Sequence, residues 1–163
     1  MLYESKKGAE NTKTKRNARR ITQAFIVAVL ILLVFQNFFS IVYLNGESME
    51  PTLQNGNALL LKKWGVPQKG DIVTAYIDEL DYTVVKRILA AEGDTVNIDE
   101  SGVYVNGKWA AESVKNGQNN IDFRVSANEY FLIGDNLADS LDSRSFGCVG
   151  RSAIRGILIK KLF

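Results

Sequence analysis

The sequence predicts a mainly β protein, an antiparallel β-sheet domain carried behind one N-terminal transmembrane helix. Three observations predict it. Residues 21–46 contain no charged side chain. Beyond residue 57, short β-branched runs recur with turn signals about every 8–12 residues. No stretch after Leu44 keeps a helical period over three turns. The 163 residues allow one modest domain plus an appendage.

The appendage comes first. Lys6, Lys7, Lys13, Lys15, Arg16, Arg19 and Arg20 crowd residues 1–20 against only Glu4 and Glu10. A nucleic-acid arm is one reading of such a block, but the apolar stretch that follows favours a topology signal beside a membrane. Residues 21–44 form that stretch, unbroken from Ala24 to Phe35 and interrupted later only by Gln36, Asn37 and Ser40. At about 1.5 Å per residue a helix of this length crosses a hydrocarbon core of about 30 Å. It exceeds a cleavable signal's apolar region, and no small-X-small site follows it, so a retained anchor is expected. The basic flank places residues 1–20 in the cytoplasm and residues 45–163 outside, with the bilayer itself as a partner.

Within 45–163 the expected strands are 57–61, 71–76, 82–88, 95–98, 102–105, 130–133 and 153–162. Asn106-Gly107 marks a hairpin turn, and the polar residues 111–122 read as a surface loop. A domain of this size buries a core without staples. Cys148 is the only cysteine, so no intrachain disulfide or cysteine-based metal site is possible. With no histidine in the chain to pair with it, Cys148 reads as a small core residue.

The same absence shapes the chemistry. Ser48 lies in Gly46-Glu47-Ser48-Met49-Glu50-Pro51-Thr52-Leu53, where glycine and proline set an unusual backbone path. A plain linker turn is the other reading of that run. A nucleophilic serine here needs a carboxylate or a neutral lysine as its base. Lys86 is the candidate, because strand alternation puts it on one face with Val84 and Ile88, and Arg87 on the other. An ordinary lysine is neutral about once in 2,500 at pH 7, and burial lowering its pKa by about 2–3 units raises that to several per cent or more. Arginine cannot be deprotonated in practice, so Arg87 is excluded. A lysine snorkelling to water at a strand edge remains the alternative. The loop from Gly134 to Arg144 is dense in short polar side chains. It reads either as support for such a site or as a calcium loop using Asp135, Asp139 and Asp142, although it lacks the alternating Asp pattern of the common calcium motif.

Ser48-Met49-Glu50-Pro51-Thr52-Leu53, Lys69-Gly70-Asp71-Ile72-Val73, Val85-Lys86-Arg87 with Glu92-Gly93-Asp94, and Gly134-Asp135-Asn136 through Asp142-Ser143-Arg144 together resemble bacterial type I signal peptidase. The resemblance covers residues 46–156, and the strength lies in four boxes in order rather than in any one. It implies the β fold of that family and of self-cleaving repressors, and a Ser/Lys endopeptidase that removes signal peptides from secreted preproteins at small-X-small sites. Residue by residue it implies Ser48 as nucleophile and Lys86 as general base. Ser140 is implied to position the amine, with Asp142–Arg144 and Asp135–Arg87 as supporting ion pairs. Relatives with serine two before the nucleophile use it as a second oxyanion donor; Gly46 stands there in this chain. The single span resembles the compact Gram-positive form. Eukaryotic and archaeal relatives use histidine, which this chain lacks. No cofactor, metal or nucleic acid is implied, and a monomer in the cell membrane is expected. The soluble, DNA-linked repressor type fits poorly with the span. A membrane-tethered assembly or chaperone factor built on a non-catalytic domain is the competing function.

Overall fold

The computed structural model describes residues 2–112 and 121–163, with side chains from residue 16 onward. The chain divides into two compact units, Met1–Phe38 and Phe39–Phe163. The first is the single helix α1 (Leu2–Phe38). Its part Arg16–Phe38 is long and apolar enough to cross a membrane, at 23 residues or about 34 Å. Every side chain from residue 16 to 38 is exposed. A helix that is apolar all round and buries none of itself in protein has the character of a membrane segment.

The helix ends at Phe38, six residues before the end of the expected span of 21–44. Residues Phe39–Tyr43 instead form strand β1, paired antiparallel with β2 (Ala58–Lys62) from Phe39↔Lys62 to Tyr43↔Ala58. The β-branched pair Ile41-Val42 suits a strand, and pairing with β2 satisfies its backbone on one side. A short apolar run does not reveal by periodicity whether it continues a helix or starts a strand.

The second unit holds two antiparallel sheets. The larger has seven strands in the order β1-β2-β11-β3-β4-β9-β10. Its remaining members are β3 (Ile72–Ile77), β4 (Tyr82–Ala91), β9 (Glu129–Ile133), β10 (Val149–Gly150) and β11 (Ile154–Lys161). The smaller sheet runs β7-β6-β5-β8. It comprises β5 (Thr95–Asp99), β6 (Gly102–Val105), β7 (Lys108–Ala111) and β8 (Ile121–Arg124). The expected loop 111–122 is thus bounded by strands that take Ala111 at one end and Ile121 and Asp122 at the other. Its residues 113–120 lie outside the described residues. One short helix, α2 (Ser143–Phe146), follows β9.

Three apolar clusters fill the unit. One joins Val73, Val84, Ile88, Leu132 and Ile157 across the large sheet. A second joins Val96, Val103, Phe131 and Ile133 between the sheets, with Cys148 packed against it. The third, Leu44, Met49, Leu53, Leu59, Leu61, Ile72 and Val85, lies beneath the segment that carries Ser48. Burying a Leu or Met side chain contributes about 1.5–3 kcal/mol. Met49 and Leu53 therefore hold the turn after Ser48 against the sheet, leaving Ser48 itself half-exposed.

β4 changes neighbours along its length. Residues 82–87 pair with β3, whereas pairing with β9 begins at Arg87↔Ile133. Among the described residues, 82–86 therefore have one unpaired backbone edge. This half-strand and the end of β1 flank one cleft.

Candidate active site

That cleft has a volume of about 530 Å³ and is walled by residues 42–48 on one side and 82–86 on the other, with Asp139 and Leu141 at its margin. Ser48 and Lys86 meet in it: Lys86 Nζ lies 2.6 Å from Ser48 Oγ. Strand alternation explains the amine's surroundings. Val84 and Ile88, on the same face as Lys86, and Val73, its cross-strand partner, all belong to one buried cluster. Lys86 is only 3% exposed.

Burial of the ammonium lowers the Lys86 pKa from 10.5 to about 8. The Asp142 carboxylate pulls the other way, the Arg144 guanidinium adds to the lowering, and Asp135 opposes it. At pH 7 an amine of that pKa is neutral in about one molecule in ten, a gain of more than two orders of magnitude over ordinary lysine.

Asp142 organises the ground behind the dyad. Fully buried, it accepts from Arg144 Nε at 2.8 Å and Arg144 Nη2 at 2.9 Å. It also accepts from the Ser140 hydroxyl at 2.6 Å and the Gly134 N–H at 3.0 Å. Arg144 spends further donors on the Leu137 and Glu112 carbonyls. Because Ser140 donates its one proton to Asp142, its oxygen can only accept from any other group. Asp135 binds Arg87 in a two-pronged pair, Nε to Oδ1 at 2.8 Å and Nη2 to Oδ2 at 2.6 Å. Burial alone would raise the Asp135 pKa, but hydrogen bonds from Arg87 and Thr52 outweigh it and hold the carboxyl below its usual range. Two of the three aspartates needed for a calcium loop are therefore engaged by arginines. Among the described residues no group of three or more His, Cys, Asp or Glu is arranged to hold a metal ion. Cys148 is half-buried, and burial, helped by Glu129, pushes its thiol up to about 11, so it stays protonated.

Gly46 adopts φ +106°, a conformation L side chains rarely adopt, and its N–H donates to Asn55 Oδ1 at 3.1 Å. Two residues left out of the expected site belong to it. Gly134 approaches Ser48 so closely that an added Cβ would lie 2.1 Å from Ser140 Oγ and 2.6 Å from the Ser48 carbonyl oxygen. Asn136 donates to the Glu47 and Ser48 carbonyls. The signal for both was their place in Gly134-Asp135-Asn136, but only the fold shows that this loop touches residues 47–48. Gly134→Ala is expected to cost about 1–3 kcal/mol of stability through overpacking. Its activity should fall roughly 100-fold, because the backbone of Ser48 must shift. Thermal melts and peptide cleavage read the two effects separately.

The family profile described as "Signal peptidase, peptidase S26" matches residues 17–162. Signal peptidase I S of Bacillus subtilis (strain 168) is 33% identical over 156 residues, spanning 84% of this chain and 84% of its own. A signal peptidase I of Bacillus amyloliquefaciens is 33% identical over 177 residues, spanning 95% of this chain and 92% of its own. Among solved structures, a signal peptidase I from Enterococcus faecalis V583 aligns with a TM-score of 0.47 at 27% identity, covering 58% of this chain and 98% of that one. With the profile running from the apolar helix to the end of the last strand, and relatives aligned over most of both chains, this chain belongs to the signal peptidase, peptidase S26 family and is a serine-type endopeptidase.

Proposed function

We propose that the chain removes signal peptides from secreted preproteins, cutting at small-X-small sites, with Ser48 as nucleophile and Lys86 as general base. The observation that carries this is the 2.6 Å approach of a buried amine, its pKa lowered to about 8, to a serine hydroxyl on a cleft wall. The preprotein lies extended along residues 82–86 and adds a strand to their unpaired edge. Apolar wall residues Val42, Leu44, Val84 and Val85 leave shallow room for small side chains.

Neutral Lys86 takes the Ser48 proton as Oγ attacks the scissile carbonyl carbon. The Ser48 N–H meets the developing oxyanion. The Lys86 ammonium then protonates the departing amine as the C–N bond breaks, leaving an acyl-enzyme. The same amine, neutral again, takes a proton from water, whose oxygen attacks the ester and releases the signal peptide. One amine thus does the work that His and Asp share in the Ser-His-Asp triad. Among the described residues no hydrogen bond joins Ser140 to Lys86; with its own proton held by Asp142, Ser140 is left to accept from the amine once the ammonium forms. The two ion pairs fix the loop behind it.

The helix Arg16–Phe38 anchors the enzyme, with the basic block of residues 1–20 in the cytoplasm and the catalytic unit outside. Anchoring restricts the enzyme to substrates at the membrane and raises their effective concentration.

The test is cleavage of a peptide carrying an Ala-X-Ala site, followed against pH. Only the neutral amine accepts a proton, so kcat/KM should rise with a midpoint near 8 and level off above it. Ser48→Ala should abolish turnover. A midpoint near 6.5, or turnover surviving in Ser48→Ala, would rule the dyad out.

A further inference from the structure

We propose that Asn136 is a positioning residue for oxyanion stabilisation, its side chain aiming the peptide group that carries the Ser48 N–H. This rests on the Ser48–Lys86 reading above and deepens it.

Asn136 reaches the nucleophile segment with two donors. Its main-chain N–H donates to the Ser48 carbonyl at 3.0 Å, and its side-chain Nδ2 donates to the Glu47 carbonyl at 3.2 Å. The Glu47 carbonyl also accepts from the Glu50 N–H at 3.0 Å. One residue earlier, the Gly46 N–H is held by Asn55 Oδ1. The Glu47 carbonyl and the Ser48 N–H belong to the same peptide group, which is trans. In a planar trans peptide these two groups point in opposite directions. Donors that grip the carbonyl therefore hold the N–H pointing the opposite way within the same plane. That N–H makes no hydrogen bond with any described residue, and Ser48 lines the cleft. Hydrogen bonds accepted by the carbonyl also polarise the peptide, which strengthens its N–H as a donor.

The arrangement matters more in this chain than it would with serine at position 46. Gly46 offers no hydroxyl to the oxyanion, so the aim of the Ser48 N–H carries a larger share of its stabilisation. Losing an oxyanion donor outright costs about 10²–10³-fold in kcat. Without the Asn136 side chain the Glu50 N–H still grips the carbonyl, so the expected loss is smaller, roughly tenfold.

The experiment uses the full chain in detergent micelles, with Asn136→Ala and Asn136→Asp. The aspartate keeps the size and main-chain N–H but sets a carboxylate against the carbonyl. The readouts are kcat and KM on an Ala-X-Ala peptide, affinity for a peptide aldehyde of the same sequence, and thermal stability. Ser48 Oγ adds to the aldehyde carbon, and the resulting hemiacetal oxygen occupies the oxyanion's place. In both variants kcat should fall roughly tenfold, aldehyde affinity should fall in step, and KM should stay within about twofold. Asn136→Ala should keep the wild-type pH midpoint, since its side chain bonds Glu47 and not Lys86. Unchanged kcat in both variants overturns the proposal. So does a raised KM with kcat intact, or a loss that tracks the unfolded fraction in thermal melts. Ser48→Ala separates the two claims: turnover surviving there removes the dyad reading, whereas an inactive Ser48→Ala beside fully active Asn136 variants removes this proposal alone.

Discussion

Lys86→Met is expected to lower kcat/KM by at least about 10⁴-fold while raising the melting temperature. On the proposed mechanism the activity loss follows from removing the group that accepts the Ser48 proton; knocking out one member of such a unit costs most of its catalysis. The gain in stability follows from burial. Lys86 is 3% exposed among apolar neighbours, and methionine fills similar volume without a charge to desolvate. The sign of the pH dependence is fixed by the lowered pKa. Between about 8 and 10.5 the unfolded chain binds more protons at this residue than the folded one. Wild-type stability should therefore climb with pH across that window, and the climb should be missing from Lys86→Met. Melting curves at pH 7 and pH 10 for both proteins check this. An active Lys86→Met, or one that melts lower than wild type at pH 7, would contradict the role of a buried amine as base.

Asp142→Ala should be the most damaging single change to the fold around the site, at about 3–5 kcal/mol. The carboxylate is fully buried and accepts from the Arg144 side chain, the Ser140 hydroxyl and the Gly134 N–H. Alanine strands a buried guanidinium and two further donors, and each costs its desolvation. For a unit of this size that corresponds to a fall in melting temperature on the order of 10–20 °C. Asp142→Asn, which keeps the shape and one acceptor, should fall by less. Circular dichroism melts of the three proteins rank them. Equal melting temperatures would mean that the Asp142–Arg144 pair contributes little to this fold.

Much of this was legible in the chain. The alternation of Val84, Lys86 and Ile88 against Val85 and Arg87 is a local property, and the observed clusters follow it. The expected strands from 57 to 162 are present, because β-branched runs bounded by Gly, Asn and Asp turns are themselves the local cause of strands. What was not legible depended on partners distant in sequence. Residues 39–43 continue the apolar run of the helix, and only the presence of β2 beside them makes them a strand. Ile121-Asp122 looked like loop until β5 supplied a pairing edge. Gly134 and Asn136 read as ordinary turn formers; their importance comes from contact with residues 47–48, nearly ninety positions earlier.

The half-paired state of β4 has a consequence for accuracy. A guest chain hydrogen-bonded to residues 82–86 can slide only in steps of two without turning its inward side chains outward. The strand edge is thus a ruler with a two-residue graduation. On the proposed strand addition it would tell a correct cut from one a single residue away by parity, before any pocket weighs the size of a side chain.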